Sequence, residues 1–123
     1  MVKILLLMVL FHIIDDFVLQ PICLSKLKQK KWWEENIKSG SDLKKYKNDY
    51  ITALIIHSLS WSIMIHLPLF LFVSDAALSI SIIINMFIHY VVDNYKANLG
   101  KLNLTQDQAI HLLQVYITAF ILL

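Results

Sequence analysis

Four apolar runs divide the chain: Val2 to Leu19, Ile51 to Val73, Ala76 to about Tyr95, and Gln108 to Leu123. At about 1.5 Å of rise per residue, each approaches the ~20 residues that carry a helix across a bilayer core of ~30 Å. The pattern predicts four membrane-spanning helices, at about 2–20, 51–73, 76–95 and 106–123, with a basic connection at 24–50. Thr105-Gln-Asp-Gln108 reads as a capping box that starts the fourth helix at Gln106. Ser74-Asp75 leaves only a minimal turn between the second and third spans.

Composition supports lipid as the solvent. Residues from AVILMFWYC make up 58% of the chain and charged residues 16%, against roughly 45–50% and about 25% in soluble domains. The mean hydropathy is +0.62. Two Gly and two Pro are too few for an all-β chain with many tight turns. The expected fold class is therefore an all-α, polytopic membrane protein in a single four-helix domain. Lys3 followed by an apolar core also resembles a secretory signal peptide. However, His12, Asp15 and Asp16 interrupt that core, and no small-x-small cleavage signal precedes Gln20-Pro21, so the segment is expected to be retained. Cys23, the only cysteine, has no partner for an internal disulfide.

Lysine placement sets the orientation. All eleven basic residues are Lys, and eight of them (Lys26, Lys28, Lys30, Lys31, Lys38, Lys44, Lys45 and Lys47) lie between spans one and two. Lys96 and Lys101 lie between spans three and four. With four spans these connections share a side, which the positive-inside rule makes cytoplasmic. Both termini are then expected outside, in a multi-pass protein of the cell inner membrane. Trp32 and Trp33 suit either a segment at headgroup level or a solvated loop.

Against this background the polar residues inside the spans stand out. His12 and Asp16, His89 and Asp93, and Asp107 and His111 are each four residues apart, so each pair projects from one helix face. Chance placement of the five His and seven Asp would give about 0.6 such pairs; three occur. The lysine topology puts all three pairs, with His57, at the cytoplasmic ends of their spans. Four His and three Asp thus converge on one level. His66, in the outer half of span two, reads as an ordinary packed or interfacial histidine.

An Asp at a helix centre in a bilayer costs at least ~2.5–3.5 kcal/mol, so such groups need partners and usually serve a function. A His–Asp network that only glues helices together would need one or two pairs, not seven groups. Imidazole and carboxylate are the ligand set of Zn, Mn or Fe, and a helical bundle can converge them. The preferred reading is one or two divalent transition-metal ions held by His12, Asp16, His57, His89, Asp93, Asp107 and His111. Asp16 and Asp93 would also carry catalysis. Lys96 would stabilise charge on an anionic substrate, or else serve as a snorkelling topology anchor. Gln20 continues the His12/Asp16 face by a turn. Asp15 could be a ligand or an acceptor behind one, and Gln108 is accounted for by the cap.

The segments His12-Ile-Ile-Asp-Asp16-Phe17-Val-Leu-Gln20, His57, His89-Tyr-Val-Val-Asp93-Asn-Tyr-Lys96 and Asp107-Gln108-Ala-Ile-His111 resemble domain-of-unknown-function family 3307. Its members are small bacterial and phage membrane proteins. The resemblance covers nearly the whole chain. The family's His-x-x-Ala-Asp-Phe-x-x-Gln motif maps onto His12, Asp16, Phe17 and Gln20, with Asp15 in place of the small residue, and the later His and Asp positions map one for one. The Lys-rich loop with Trp32 and Trp33 matches no motif. The arrangement is also similar to that of membrane-bound metal-dependent hydrolases, which by analogy implies metal-assisted hydrolysis.

Two classes of function follow. In the first, metal-activated water attacks a phosphoester or lipid-headgroup substrate at the inner leaflet. In the second, the chain is a non-enzymatic membrane module: an ion or proton pathway, a holin-like pore, or a regulator of a membrane partner. A membrane di-iron oxygenase is disfavoured, because four histidines are few for that chemistry. Membrane lipid is the expected partner and nucleic acid is not, since anionic lipid and topology explain the lysines. Four helices can close one site as a monomer, and the apolar exterior equally permits a homo-oligomer.

Overall fold

The computed structural model describes residues 1–20, 22–37 and 40–123, which are helical apart from short connections, with no strand among them. α1, Val2–Ile13, runs directly into a π-helical turn, Ile14–Leu19. α2 (Ile22–Leu27), α3 (Lys30–Asn36) and α4 (Gly40–Tyr46) form the basic connection. α5 spans Asp49–His66 and continues as a 3-10 turn at Leu67–Leu69; α6 spans Asp75–Ala97 and α7 Leu104–Leu122. The second helix ends earlier than its apolar run because Pro68 lacks a backbone N–H and enters the 3-10 turn. Lys38 and Pro21, which belong to the basic segment and the end of the first apolar run, lie outside the described residues.

Four of these helices close a bundle. α1 packs on α5 and α7, and α6 packs on the same two. Side-chain pairing shows that neighbours run antiparallel. His12 and Asp15 of α1 and its π turn meet Trp61 and Ser60 of α5, and His57 and His66 of α5 meet His89 and Ser81 of α6. Lys96 and Asn85 of α6 meet Asp107 and Thr118 of α7. Gly100, at φ 60°, turns the chain between α6 and α7.

The bundle is polar inside and apolar outside. Among the described residues fourteen buried side chains are polar or charged against nine hydrophobic ones, the reverse of a soluble bundle. Leu6, Phe17, Ile56, Ile83, Phe87 and Phe120 are among the large apolar side chains that face outward. Two helical stretches, Lys44–Leu69 and Asp75–Ala97, are long and apolar enough to cross a membrane. α1 has only twelve residues before its π turn, and α7 is broken up by Gln106, Asp107, Gln108, His111 and Gln114.

Along its axis the bundle divides in two. At one end Met8, Trp61, Ile65, Leu69, Leu78, Val115 and Ala119 form an apolar core. At the other, where α6 turns into α7, His12, His57, His89 and His111 gather with Asp15, Asp16, Asp93 and Asp107. The connection α2–α4 has structure of its own. Trp33 stacks on Tyr46 with ring centroids 6.0 Å apart and donates its indole N–H to Leu27 O at 2.9 Å.

Candidate metal centre

Each element delivers its side chains for a local reason. The i, i+4 spacing puts His89 above Asp93 on α6 and Asp107 below His111 on α7. In α1 the helix widens to the π form just where Asp15 and Asp16 occur. The change is recorded by the Gln20 N–H bond to Asp15 O at 2.9 Å, and π turns of this kind concentrate at functional sites. It lets two consecutive carboxylates face the bundle: Asp15 accepts from Ser60 Oγ at 2.6 Å, while Asp16 turns toward His57.

The start of α7 differs from the sequence expectation. Asn103, in extended conformation, is the N-cap, and Gln106 completes a reciprocal capping box, so the helix begins at Leu104. Thr105 and Gln108 are not the cap. Asn103 wins because its short amide accepts directly from the Gln106 backbone N–H at 2.9 Å. Gln108 is thereby free to enter the site. Its Nε2 donates to Asp16 Oδ2 at 3.0 Å and Asp107 Oδ2 at 3.2 Å, and its Oε1 meets His12 Nε2 at 3.1 Å.

The imidazole Nε2 atoms converge with carboxylate oxygens. His57 Nε2 lies 3.4 Å from Asp16 Oδ1 and from Asp93 Oδ2, and His111 Nε2 lies 3.4 Å from Asp93 Oδ1 and from Asp107 Oδ1. His89 Nε2 is 3.1 Å from His57 Nε2 and 3.8 Å from Asp93 Oδ1. Asp16, His57 and His89 form one group with ligand atoms within 4.8 Å of one another, and His89, Asp93 and His111 form a second. These groups are close enough to hold a metal ion. Two ligand atoms each about 2.1 Å from a tetrahedral ion lie about 3.4 Å apart, whereas an N–H···O hydrogen bond centres near 2.9–3.0 Å. One imidazole nitrogen binds one ion, so His89 Nε2 serves one group at a time. Asp107 Oδ1 lies opposite His111 Nε2 but belongs to neither group.

Hydrogen bonding leaves part of the cluster unsatisfied. Asp16 Oδ1, Asp107 Oδ1 and His111 Nε2 are buried and make no hydrogen bond, at a cost of about 1–3 kcal/mol each. A network that existed only to join helices would satisfy its members. Asp15 Oδ2, His89 Nδ1, His111 Nδ1 and Gln114 Oε1 are also buried without a partner, so among the described residues three of the seven unpaired atoms are among those that converge.

The sequence-predicted residues fall into four sets. Asp16, His57, His89, Asp93, Asp107 and His111 present converging ligand atoms. His12 sits behind them with both nitrogens engaged. The Trp61 indole donates to its Nδ1 at 2.8 Å, so its Nε2 carries the proton that goes to Gln108. Asp15 Oδ2 lies 3.7 Å from His57 Nδ1, too far for a hydrogen bond, on the opposite side of the ring from Asp16 and Asp93. Lys96 bonds Asp107 Oδ2 at 2.5 Å, and Gln20 lines a cavity of about 330 Å³ beside Asp16 and Asp93. His66 lies apart, bonded to Ser62 O at 2.7 Å and Ser81 Oγ at 2.8 Å.

Sequence reasoning missed three residues. Lys28, from the basic connection, reaches Asp93 Oδ2 at 2.5 Å and is buried; nothing distinguishes it among eight loop lysines. Gln108 was assigned to the cap. Trp61 had a usable signal, since it follows His57 by four residues and so shares its face; its ring stacks on His89 at 4.2 Å. No protein-family model, curated protein or solved structure matches the chain.

Proposed function

We propose that this chain is a four-span inner-membrane protein of the family-3307 type and a metal-dependent hydrolase of a phosphoester or lipid headgroup at the inner leaflet. The observation that carries this reading is the pair of His/Asp groups whose ligand atoms lie within 4.8 Å of one another, next to a cavity bordered by two lysines. The inverted burial pattern and the lysine-rich side support the membrane topology, with both termini outside and the polar end of the bundle toward the cytoplasm. Asp16, His57 and His89, with Asp93, Asp107 and His111, would hold one or two ions of Zn, Mn or Fe. Such an ion supplies Lewis acidity and an activated water at neutral pH.

The chain's own residues do the rest. Gln108 ties Asp16 to Asp107, fixing carboxylates from α1 and α7 relative to each other. His12 and Trp61 hold Gln108 in that orientation. Lys96, its side chain 34% exposed, supplies positive charge at the cavity rim where an anionic substrate would enter. Vesicles of anionic phospholipid containing the purified protein test the activity. Phosphate or headgroup release should stop on chelation and return when Zn²⁺ or Mn²⁺ is restored. Release that persists in chelator, or none in either condition, rejects the hydrolase.

A second reading, a proton or ion pathway, is favoured by one observation. Polar contacts continue past the cluster toward the apolar end through Gln114, Asn85, Ser81 and His66. Flux across liposomes by metal-free protein would support that reading over hydrolysis.

A further inference from the structure

Lys28 and Lys96 approach the centre from different elements and treat it the same way. Each ammonium sits 2.5 Å from an oxygen of a carboxylate that faces a histidine of the site: Lys28 on Asp93 Oδ2, Lys96 on Asp107 Oδ2. Both line the same cavity of about 330 Å³, together with Asp16, Gln20 and Gln108. Lys28 is held there by its backbone. Asn98, at the end of α6, donates to Lys28 O at 3.1 Å and accepts from the Lys30 N–H at 2.7 Å, which pins the α2–α3 junction over the site.

Charge counting gives this pair a role. Asp15, Asp16, Asp93 and Asp107 carry four formal negative charges, and the two lysines offset two of them. One divalent ion completes the balance. A second leaves two positive charges over, which matches a phosphate dianion. A cation on Asp93 and Asp107 also competes directly with both ammonium groups for those carboxylates.

We propose that Lys28 and Lys96 are the substrate-binding pair of this centre, exchanging their carboxylates for a phosphate group when divalent ions take Asp93 and Asp107. This rests on the metal reading above and adds the ligand class, a phosphate in its dianionic form, and the residues that select it. No bond is made or broken in the exchange. By linkage, phosphate and metal bind cooperatively, each tightening the other by the same factor.

The test uses the full chain in nanodiscs, with Zn²⁺ affinity measured against a chromophoric chelator, with and without inorganic phosphate. In the wild type, phosphate should tighten Zn²⁺ binding at least tenfold. Lys28→Met should bind Zn²⁺ at least tenfold more tightly than the wild type without phosphate, having lost the competing cation, and should lose the phosphate effect. Lys28→Arg should retain that effect. Lys96→Met, at the more exposed position, gives the same readout if Lys28→Met does not fold. Replacing inorganic phosphate with phosphatidic acid in the disc separates a free from a lipid-borne phosphate, and tightening by either supports the pair. Zn²⁺ binding indifferent to both phosphates, or weakened by Lys28→Met, overturns the pair but leaves the metal centre intact. Absence of Zn²⁺ binding in the wild type removes both.

Discussion

The two ends of the bundle solve opposite problems with the same four helices. At the apolar end Met8, Ile65, Leu69, Val115 and Ala119 fill the axis beside a smaller polar set, His66, Asn85, Gln114 and Thr118, that is hydrogen-bonded between helices. At the polar end the same helix positions, one to three turns along, carry His12, His57, His89 and His111 with four aspartates. In a lipid solvent apolar burial gives little preference for inside over outside, so packing and hydrogen bonds must hold helices together. The apolar end does this by shape. The polar end does it incompletely: most of the buried polar atoms without a hydrogen bond belong to its histidines and aspartates.

Trp61 joins the two. It belongs to the apolar core, while its ring stacks on His89 and its N–H donates to His12.

Substitutions can separate the ends. Asp93→Ala should have the largest effect, because Asp93 faces Lys28, His57, His89 and His111. Removing one partner of a buried ion pair costs about 3–5 kcal/mol, so the variant should lose both metal and much of its thermal stability in detergent. The isosteric Asp93→Asn should remain folded and still fail to bind metal. Ile65→Ala at the apolar end should cost about 2–3 kcal/mol through the cavity it leaves. Its metal content should stay at the wild-type level; a loss would mean that the ends are not independent.

Finer changes sharpen the comparison within the polar end. Gln108→Ala removes no ligand but frees Asp16 and Asp107 from each other, so metal affinity should fall about 10–100-fold with the helices intact by circular dichroism. Smallest is Ser60→Ala, which removes one hydrogen bond to Asp15 and should cost about 1 kcal/mol in denaturation.

Much of the polar end was legible because helix periodicity makes distance predictable: residues four apart share a face, so each of the three His/Asp pairs could be read from spacing. What sequence could not show was contact between elements far apart in the chain. Lys28 and Asp93 are brought together by the way α2 folds back, a choice that no local pattern encodes. Gln108 was hidden by a competing cap. Two plausible capping residues stood two positions apart, and the backbone chose Asn103. The π-helical turn that turns Asp15 and Asp16 inward was also invisible, since its sequence is compatible with an ordinary helix.

Elemental analysis tests the central claim most directly. Wild-type protein extracted without chelators and compared with Asp93→Asn of equal helicity should carry one or two equivalents of Zn, Mn or Fe per chain, and the variant almost none. Less than about one equivalent per four wild-type chains, or equal content in the two proteins, would contradict a metal centre and return the cluster to a role in helix packing.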